Sequence, residues 1–428
     1  MADQITGSES TSEDIYDAIV IGGGPGGATA AWYLAKAGKR ALVIEKETFP
    51  RFHVGESLLP YNMPIFREMD LVPKLEQAGF MEKYGAQFLL PRGDRKAQFA
   101  FGGGRFAREP MSYQVERAKF DEVLLRHAES AGAEVREGTT VKDYRIDEGN
   151  GVTVTAQNGG PPEEFRARFL IDASGTSNFT GNREGLKELY EHHRKVAIYG
   201  HYEGVDLPDD RTRGDILIYR LENAWFWFIP LSDDRVSLGL VVDRATFKET
   251  DQTPEALFDT TVQRCPTLSE RLANAHRAMP LRKIADFSYR NRRLVSPNLV
   301  RVGDAAGFLD PIFSSGVYLA MMTGKLGAQG ISEAIDAGKS MTFGLRRYEK
   351  TTWRYMKAYF EMIENFYRQP FFELLVQPDQ RLRLADAVVA LLAGQMEGGW
   401  AMRWRLRLFF LLVKLQGRFP VVERFKIE

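Results

Sequence analysis

Residues 17–27 read Asp17-Ala-Ile-Val-Ile-Gly22-Gly-Gly24-Pro-Gly-Gly27, an apolar run that leads into a turn rich in glycine. The run is typical of a buried strand, residues 28–37 predict a helix, and residues 40–45 predict the next strand. Gly22, Gly24 and Gly27 satisfy G-x-G-x-x-G: the first permits the tight turn, the second lets the backbone approach a pyrophosphate, and the third lets helix and strand pack closely. These residues together predict a βαβ unit that binds a dinucleotide.

Glu45 ends the second predicted strand, eighteen residues after Gly27. An acidic side chain at this place hydrogen-bonds a ribose hydroxyl and favours an adenosine ribose that lacks a 2′-phosphate. The N-terminus of the predicted helix directs unpaired N–H groups and the positive end of its dipole at the phosphates. FAD and NAD both fit these features, so the choice between them depends on the rest of the chain.

The composition is that of an ordinary globular enzyme, with 44% hydrophobic residues, 27% charged residues, and 57 Lys and Arg against 57 Asp and Glu. This balance provides no field that attracts nucleic acid or an anionic membrane, so we expect neither as a partner. Cys265 is the only cysteine, and one thiol can build neither an intramolecular disulfide nor a zinc site. We therefore predict no metal and a reducing, cytoplasmic location. The longest apolar run, residues 408–413, is far shorter than the roughly 20 residues that cross a bilayer.

Four further motifs follow in order along the chain. They are Gly55-Glu56-Ser57, Arg117 at the start of a predicted helix, Asp172-Ala-Ser-Gly175 after a predicted strand, and Gly303-Asp304-Ala-Ala306 after another. Their order and spacing resemble the FAD-binding monooxygenase superfamily that has the fold of p-hydroxybenzoate hydroxylase. The resemblance implies that the cofactor is FAD and that the acid of the Gly-Asp-Ala-Ala turn, Asp304, lies at the flavin ribityl chain.

Three local signatures resemble those of flavin-dependent halogenases. Trp225-Phe-Trp227-Phe-Ile-Pro230 satisfies W-x-W-x-I-P, and Phe308-Leu-Asp-Pro311-Ile-Phe-Ser314-Ser315-Gly316 satisfies F-x-x-P-x-x-S-x-G. Lys83 stands where that family keeps the lysine that is essential to halogenation. The resemblance covers most of residues 14–333. It implies an enzyme that uses reduced FAD, O2 and chloride or bromide to make hypohalous acid, which halogenates an electron-rich aromatic ring.

The resemblance also implies three groups of site residues. The candidate catalytic residues are Lys83, which would hydrogen-bond hypohalous acid or carry it as a chloramine, and Trp225 and Trp227, which would separate flavin from substrate. The candidate halide-binding residues are Ser314, Ser315 and Gly316, because a turn that enters a helix supplies N–H donors. The candidate cofactor-binding residues are Gly22, Gly24, Gly27, Glu45, Glu56, Ser57, Arg117, Asp172, Asp304 and Pro311.

Each signature also has a purely structural interpretation. Trp225 and Trp227 share one strand face and can be core residues, while the phenylalanines between and after them suggest a strand buried on both faces. Lys83 stands in a Glu-Lys-Tyr stretch that is typical of a solvated surface. The basic and apolar residues 400–414 can dock an acidic carrier protein or touch a membrane surface. The interpretation that we favour for them is a packed closing helix with arginines in water.

Position 313 separates two substrate classes. Tryptophan halogenases carry a glutamate immediately before the first serine of their Ser-x-Gly motif, and Phe313 stands at that place. The difference implies the phenol- or pyrrole-type branch, whose members often act on rings tethered to a carrier protein, and whether this substrate is free or tethered stays open. Three alternatives stay open as well: an aromatic hydroxylase, a geranylgeranyl-reductase-like oxidoreductase, and a flavoprotein without turnover.

The expected fold is α/β, with a Rossmann-like FAD-binding domain, an inserted, mostly antiparallel β-sheet substrate domain and a helical C-terminal region. A second G-x-G-x-x-G after a strand does not occur, so we expect a separate flavin reductase to supply FADH2. The predicted segments are 1–13 for a disordered tail, 14–85, 110–180 and 285–345 for the FAD-binding domain, 86–109 and 181–284 for the substrate-side sheet, and 346–428 for the C-terminal helices.

Overall fold

The computed structural model describes residues 15–147, 151–285, 288–377 and 383–427, so the tail predicted over residues 1–13 lies outside the described residues. The strands are β1 Ile15–Ile21, β2 Ala41–Ile44, β3 Met81–Lys83, β4 Gly85–Leu89, β5 Lys96–Ala100, β6 Ser112–Gln114, β7 Glu134–Arg136, β8 Thr140–Asp147, β9 Gly151–Gln157, β10 Glu163–Asp172, β11 Lys187–Leu189, β12 Lys195–Glu203, β13 Ile216–Arg220, β14 Ala224–Pro230, β15 Arg235–Asp243, β16 His276–Arg277, β17 Arg282–Ala285, β18 Tyr289–Asn291, β19 Val295–Ser296, β20 Leu299–Arg301 and β21 Gly307–Phe308. The α-helices are α1 Pro25–Lys36, α2 Asn62–Glu68, α3 Val72–Ala78, α4 Arg117–Ser130, α5 Phe179–Arg183, α6 Arg244–Glu249, α7 Pro254–Gln263, α8 Pro266–Arg271, α9 Gly316–Asp336, α10 Phe343–Phe366, α11 Gln369–Leu375, α12 Leu384–Leu392 and α13 Gly399–Arg418.

The first large sheet contains the N-terminal βαβ unit. Its strand order is β19-β20-β10-β1-β2-β7, and β9, which pairs with β8, joins it at the first half of β10. β1 pairs in parallel with β2 and with β10, and β10 pairs in parallel with β20. Parallel strands end at the same edge of a sheet, so the turns that follow β1, β10 and β20 meet there. Three motifs far apart in the sequence thus come together at one edge.

Helix α1 begins at Pro25, three residues before the predicted start, because proline is well placed in the first turn of a helix. Gly27 lies where α1 passes closest to the sheet. A Cβ built at Gly27 would overlap the carbonyl oxygen of Gly22 and lie 3.2 Å from the Cβ of Ala173. The third glycine of the motif is therefore required by close packing, as its place in the pattern predicts.

The second large sheet has the order β16-β12-β15-β14-β13-β4-β5, with β17 also paired to β12. Its pairs are antiparallel except for β13 and β4, which run in parallel. In β14, Trp225 and Trp227 face the main core, whereas Phe226 and Phe228 face a second core on the opposite side of the sheet. The α/β fold with a mostly antiparallel second sheet is confirmed, and so is a strand that is buried on both faces.

The C-terminal helices close the main core. α10 begins after Thr342, whose hydroxyl accepts a hydrogen bond from Leu345 N at 3.3 Å. α13 packs through Phe409 against Phe371 of α11, with ring centroids 5.5 Å apart, and Trp400 at its start is 76% exposed. The interpretation of residues 400–414 as part of a packed helix is confirmed. Among the described helices, none is long and apolar enough to cross a membrane.

Gly324→Ala tests the contact between α1 and α9. A Cβ at Gly324 would overlap the carbonyl oxygen of Gly26 and lie 3.3 Å from Ala30 N. Because overpacking strains both helices, we expect a loss of about 2 kcal/mol in the free energy of unfolding, measured by urea denaturation. We also expect weaker FAD binding, because Gly26 belongs to the glycine-rich turn.

Gly417→Ala in α13 is the matched control. A Cβ there meets only Pro370 Cγ at 3.7 Å, which is ordinary van der Waals contact. Alanine favours a helix over glycine, so we expect this variant to be unchanged or more stable by up to about 1 kcal/mol. Equal unfolding free energies for the two variants would contradict the close packing of α1 on α9.

Candidate active site

Most of the predicted site residues line one cavity of about 370 Å³, within the volume range of small-molecule sites. It lies where the edge of the parallel sheet meets the inward face of β13 and β14. The predicted residues that line it are Gly22, Gly24, Glu45, Glu56, Ser57, Arg117, Trp225, Trp227, Asp304, Pro311, Ser314 and Gly316. Those that do not line it are Gly27, Lys83, Asp172 and Ser315.

The glycine-rich turn and Glu45 fit the adenosine diphosphate part of FAD. Gly22 has a φ of +99°, and a Cβ there would lie 2.5 Å from the carbonyl oxygen of Ala173, so only glycine leaves this surface open. The buried Glu45 carboxylate accepts hydrogen bonds from Gly23 N at 2.7 Å and Glu47 N at 2.9 Å. Each of its oxygens keeps a second lone pair, which can accept a bond from a ribose hydroxyl.

Asp304 brings a carboxylate into the same cavity. Burial raises the pKa of Asp304 to about 6, against the opposing effect of the Arg117 guanidinium. The Tyr289 hydroxyl donates to the Asp304 carbonyl oxygen at 2.8 Å and fixes the turn. A hydroxyl donor would stabilise the ionised carboxylate, so this position fits the ribityl chain of a flavin.

Arg117 and Glu56 are already engaged within the protein. The Arg117 guanidinium pairs with Asp121 through Nε at 2.7 Å and Nη2 at 2.8 Å, and its Nη1 donates to the Val54 carbonyl oxygen at 2.9 Å. Glu56 Oε1 lies 2.7 Å from His201 Nε2. Both side chains therefore hold the segment around Gly55-Glu56-Ser57 at the cavity wall through hydrogen bonds within the protein.

Asp172, predicted to bind the cofactor, does not line the cavity and instead hydrogen-bonds within the turn beside it. Its Oδ1 accepts from Ser174 N at 3.0 Å, and its Oδ2 accepts from Thr180 N at 2.7 Å and Thr180 Oγ1 at 2.6 Å. Both carboxylate oxygens thus order the turn that lines the cavity. Ser315, predicted to bind halide, does not line the cavity either. It is buried just before α9, and its carbonyl oxygen accepts a hydrogen bond from Leu319 N at 2.9 Å.

A hydrogen-bonded chain joins β14 to the segment 308–316. Trp225 Nε1 donates to the Tyr367 hydroxyl at 2.8 Å, and that hydroxyl donates to Asp310 Oδ2 at 2.7 Å. Burial raises the pKa of Tyr367 well above its ordinary value, so the phenol keeps its proton and donates it. Trp227 Nε1 donates to Ser237 Oγ at 3.1 Å. Both indoles are therefore held in fixed positions on the cavity wall.

Lys83 is buried, with 1% of its surface exposed, so the interpretation as a solvated surface residue is wrong. Its Nζ donates to Ser57 Oγ at 2.8 Å and to the Leu58 carbonyl oxygen at 3.0 Å, and it lies 5.4 Å from the centre of the Phe101 ring. Ser57 lines the cavity, which places the amine one hydrogen bond behind the wall. Burial lowers the pKa of Lys83 to about 7, and the charge of Asp215 opposes that fall.

Sequence reasoning missed three residues of this site. His53 lines the cavity, and burial together with the Arg117 charge lowers its pKa to about 4, so it is neutral at pH 7. Tyr367 stands 142 residues from Trp225, and His201 stands 145 residues from Glu56. His53 adjoins the Gly55 motif and could have been noticed there, whereas the other two depend on pairings that no local pattern encodes.

Tyr367→Phe tests the chain between β14 and segment 308–316. The substitution leaves the Trp225 N–H and the Asp310 carboxylate each without the hydroxyl that pairs them. Since unpaired buried polar groups are costly, we expect about 2 to 3 kcal/mol lower unfolding free energy and a shift in tryptophan fluorescence. Tyr359→Phe in α10 is the control, because its buried hydroxyl has no partner among the described residues and its loss should be neutral or stabilising. Similar losses for both variants would argue against the chain.

Comparisons with known proteins show the family of this chain. A model of the tryptophan halogenase family matches residues 17–109 and 106–373. The 1H-pyrrole-2-carbonyl-(peptidyl-carrier protein) chlorinase of Pseudomonas fluorescens is 32% identical over 410 residues, which cover 91% of this chain and 91% of that protein. The corresponding brominase of Pseudoalteromonas luteoviolacea is 33% identical over 389 residues, which cover 89% of this chain and 92% of that protein.

Solved structures agree as well. That of a flavin-dependent brominase superposes with a TM-score of 0.83 at 30% identity, over 94% of this chain and 99% of that chain. These relatives favour the halogenase over the hydroxylase, reductase and non-catalytic alternatives, and the W-x-W strand, the glycine-rich turn and Asp304 lie on one cavity as such an enzyme requires. The chain therefore belongs to the tryptophan halogenase family and is an FAD-dependent halogenase.

Proposed function

We propose that this enzyme halogenates a pyrrole- or phenol-type ring on a carrier protein, with hypohalous acid passing Trp225 and Trp227 to the Lys83 amine. The observation that carries the proposal is the burial of Lys83 behind Ser57, at the wall of a cavity that fits FAD. Burying a lysine destabilises the fold, because burial disfavours its charged form. The presence of a buried lysine at this wall therefore suggests a function.

Gly22, Gly24 and Glu45 would hold the adenosine diphosphate part of the cofactor, and Asp304 its ribityl chain. Bound as FADH2, the flavin would supply two electrons and be oxidised to FAD, so that O2, a proton and chloride or bromide give hypohalous acid and water. A separate flavin reductase would supply FADH2. Arg117 would act indirectly in this scheme, by holding the Val54 and Gly55 carbonyls in place at the cavity wall.

The halide would bind where segment 308–316 enters α9. Ser314 has a left-handed backbone with a φ of 55°, and Ser314 and Gly316 line the cavity with Pro311. The first turn of a helix has unpaired N–H groups and a positive dipole end, and both stabilise an anion. Ser315 would contribute through its backbone, since its side chain is buried beside the turn.

The tryptophans would keep the substrate ring away from the flavin. Trp225 and Trp227 are 1% and 6% exposed, and their hydrogen bonds to Tyr367 and Ser237 prevent the indoles from swinging aside. A small oxidant can move along such a wall, whereas an aromatic ring cannot pass. The wall therefore favours halide oxidation before attack on the ring.

Lys83 would hold the oxidant beside the substrate. With a pKa of about 7, ammonium and neutral amine are both populated near neutrality. The ammonium can donate a hydrogen bond to hypohalous acid, and the neutral amine can take its halogen as a haloamine with release of water. Either form polarises the halogen towards an electron-rich carbon.

Phe313 supports a ring that needs little activation. It is 4% exposed and packs edge-on against Phe366 at 5.7 Å, so no carboxylate is available at this place of the motif. The relatives from Pseudomonas and Pseudoalteromonas are named for pyrrole-2-carbonyl groups on a peptidyl carrier protein. We therefore propose a tethered pyrrole- or phenol-type substrate.

Lys83→Met tests the role of the amine. Methionine has a similar length and no charge, so we expect normal FAD binding and flavin re-oxidation while halogenated product falls by roughly 100-fold or more, as for loss of a group that acts in the transition state. The assay supplies FAD, a flavin reductase, NADH and bromide or chloride, and follows substrate mass. Lys96→Met on the exposed face of β5 is the control and should keep wild-type turnover. A Lys83→Met enzyme with full halogenation would contradict this role, and a gain of one oxygen in wild type would indicate a hydroxylase.

A comparison of free and tethered substrate tests the carrier requirement. We expect kcat/KM for pyrrole-2-carbonyl on a peptidyl carrier protein to exceed that for free pyrrole-2-carboxylate by roughly 100-fold or more, because contacts with the remote carrier lower the barrier. A 4-hydroxybenzoyl group on the same carrier separates pyrrole from phenol preference. Equal turnover of free and tethered pyrrole would contradict tethering while leaving the halogenase reaction intact.

A further inference from the structure

A cluster of buried polar side chains, Ser112, Gln114 and Asp215, lies on the strands next to Lys83, outside the lining of the main cavity. Ser112 faces Lys83 across the antiparallel pair of β3 and β6, and Gln114 follows on the same strand face. Asp215 precedes β13, where that strand meets β4 in parallel. A Cβ built at Gly85 would lie 2.9 Å from Asp215 Oδ1, so this carboxylate lies against the backbone two residues after Lys83.

Two atoms of this cluster, Ser112 Oγ and Gln114 Oε1, have no hydrogen-bond partner within the part of the chain that the structure describes. The Asp215 carboxylate accepts from Gln87 Nε2 at 3.1 Å and from the Gly85 backbone. Ser112 and Gln114 are fully buried, and Asp215 is 3% exposed. Unpaired buried polar atoms destabilise a fold, so their grouping around one lysine points to a function for the cluster.

Asp215 is the charged group that acts on Lys83. Its negative charge raises the pKa of the lysine against the larger effect of burial. Burial raises the pKa of Asp215 to about 6, while the hydrogen bond from Gln87 Nε2 at 3.1 Å and the Lys83 charge favour its ionised form. The negative charge of the exposed Asp210 instead raises the pKa of Asp215.

The two other carboxylates near Lys83 in the sequence or on the neighbouring segment, Glu82 and Glu56, have hydrogen-bond partners other than the lysine amine. Glu82, the preceding residue, is exposed and accepts from the Tyr84 hydroxyl at 2.6 Å. Glu56 on the neighbouring segment is paired with His201. The groups that contact the amine itself, Ser57, Leu58 and the Phe101 ring, carry no charge.

We propose that Asp215 is a positioning residue for halogenation, whose carboxylate sets the fraction of Lys83 that carries a proton. This inference rests on the proposed role of Lys83. Asp215 would provide, from β13, a negative charge that Phe313 does not provide at segment 308–316. The charge acts through Lys83 and need not touch hypohalous acid or the substrate.

Asp215→Asn in the FAD-loaded enzyme tests this role, because it keeps the side-chain shape and removes the charge. The readout is halogenated product per flavin oxidised, measured from pH 5 to pH 9. Lys83 should lose its proton more readily, so the midpoint of this profile should move down by about one pH unit. Activity at pH 7 should fall if the ammonium acts, and activity at low pH should rise if the neutral amine acts. Both results support the proposal.

Two further variants and one control keep the test decisive if the asparagine variant is unstable. Asp215→Glu restores the charge and should bring the midpoint back towards wild type. Gln87→Leu removes the hydrogen bond that favours the ionised carboxylate and should shift the midpoint in the same direction as Asp215→Asn. Glu82→Gln removes an exposed charge next to Lys83 and should leave the midpoint unchanged.

The outcomes separate this inference from the proposed function. A wild-type enzyme that halogenates, together with an Asp215→Asn enzyme whose midpoint is unmoved, would overturn the role of Asp215 and leave Lys83 as proposed. A uniform loss of product without a midpoint shift would also overturn it, since that indicates a merely structural residue. Absence of halogenation in wild type would instead refute the proposed function.

Discussion

Parallel pairing of β10 with β1 on one side and with β20 on the other is the constraint on which the site depends. Ile21 lies opposite Asp172, and Asp172 lies opposite Arg301, so the three strands end together. The pairing continues into the turns, where Ala173 N donates to the Ile21 carbonyl oxygen at 3.0 Å and Val302 N donates to that of Asp172 at 2.9 Å. A slip of one residue would turn each strand's side chains to the opposite face and separate the glycine-rich turn from Asp304.

The second sheet imposes a different constraint, which is steric. Trp227 lies opposite Gly239 across the antiparallel pair of β14 and β15, and a Cβ built at Gly239 would overlap the Trp227 ring. Trp227 can therefore turn its indole to the cavity only because the neighbouring strand has a glycine at this position. On the other face Phe226 packs edge-on against Phe258 at 5.5 Å, so the strand is fixed from both sides. This double burial makes the wall rigid.

Short sequence patterns predict those elements whose structure depends on neighbouring residues in the chain. The βαβ unit, the β14 strand and the closing helix around Trp400 follow from apolar periodicity and glycine placement. The burial of Lys83 does not, because Glu-Lys-Tyr is typical of a surface and only pairing with β6 brings the lysine inside. Asp215 lies against Gly85, two residues after Lys83, through the parallel pairing of β13 with β4, in which Ile216 lies opposite Ala86, 130 positions earlier. Pairing between segments so far apart in the chain does not change the apolar periodicity of either segment, so the sequence pattern does not reveal it.

The burial that excludes water from this site also affects the protonation of Lys83. The packed side chains of Trp225, Trp227 and Phe101 are buried from water. In the proposed reaction they would keep hypohalous acid from escaping into solvent before it meets the substrate. The same low dielectric destabilises the ammonium form of Lys83 and lowers its pKa to about 7. Asp215 opposes that effect from within the fold. In the proposed role of Asp215, the apolar wall that excludes water lowers the pKa of Lys83 and the carboxylate opposes that fall, so the buried lysine would still bind a proton near pH 7.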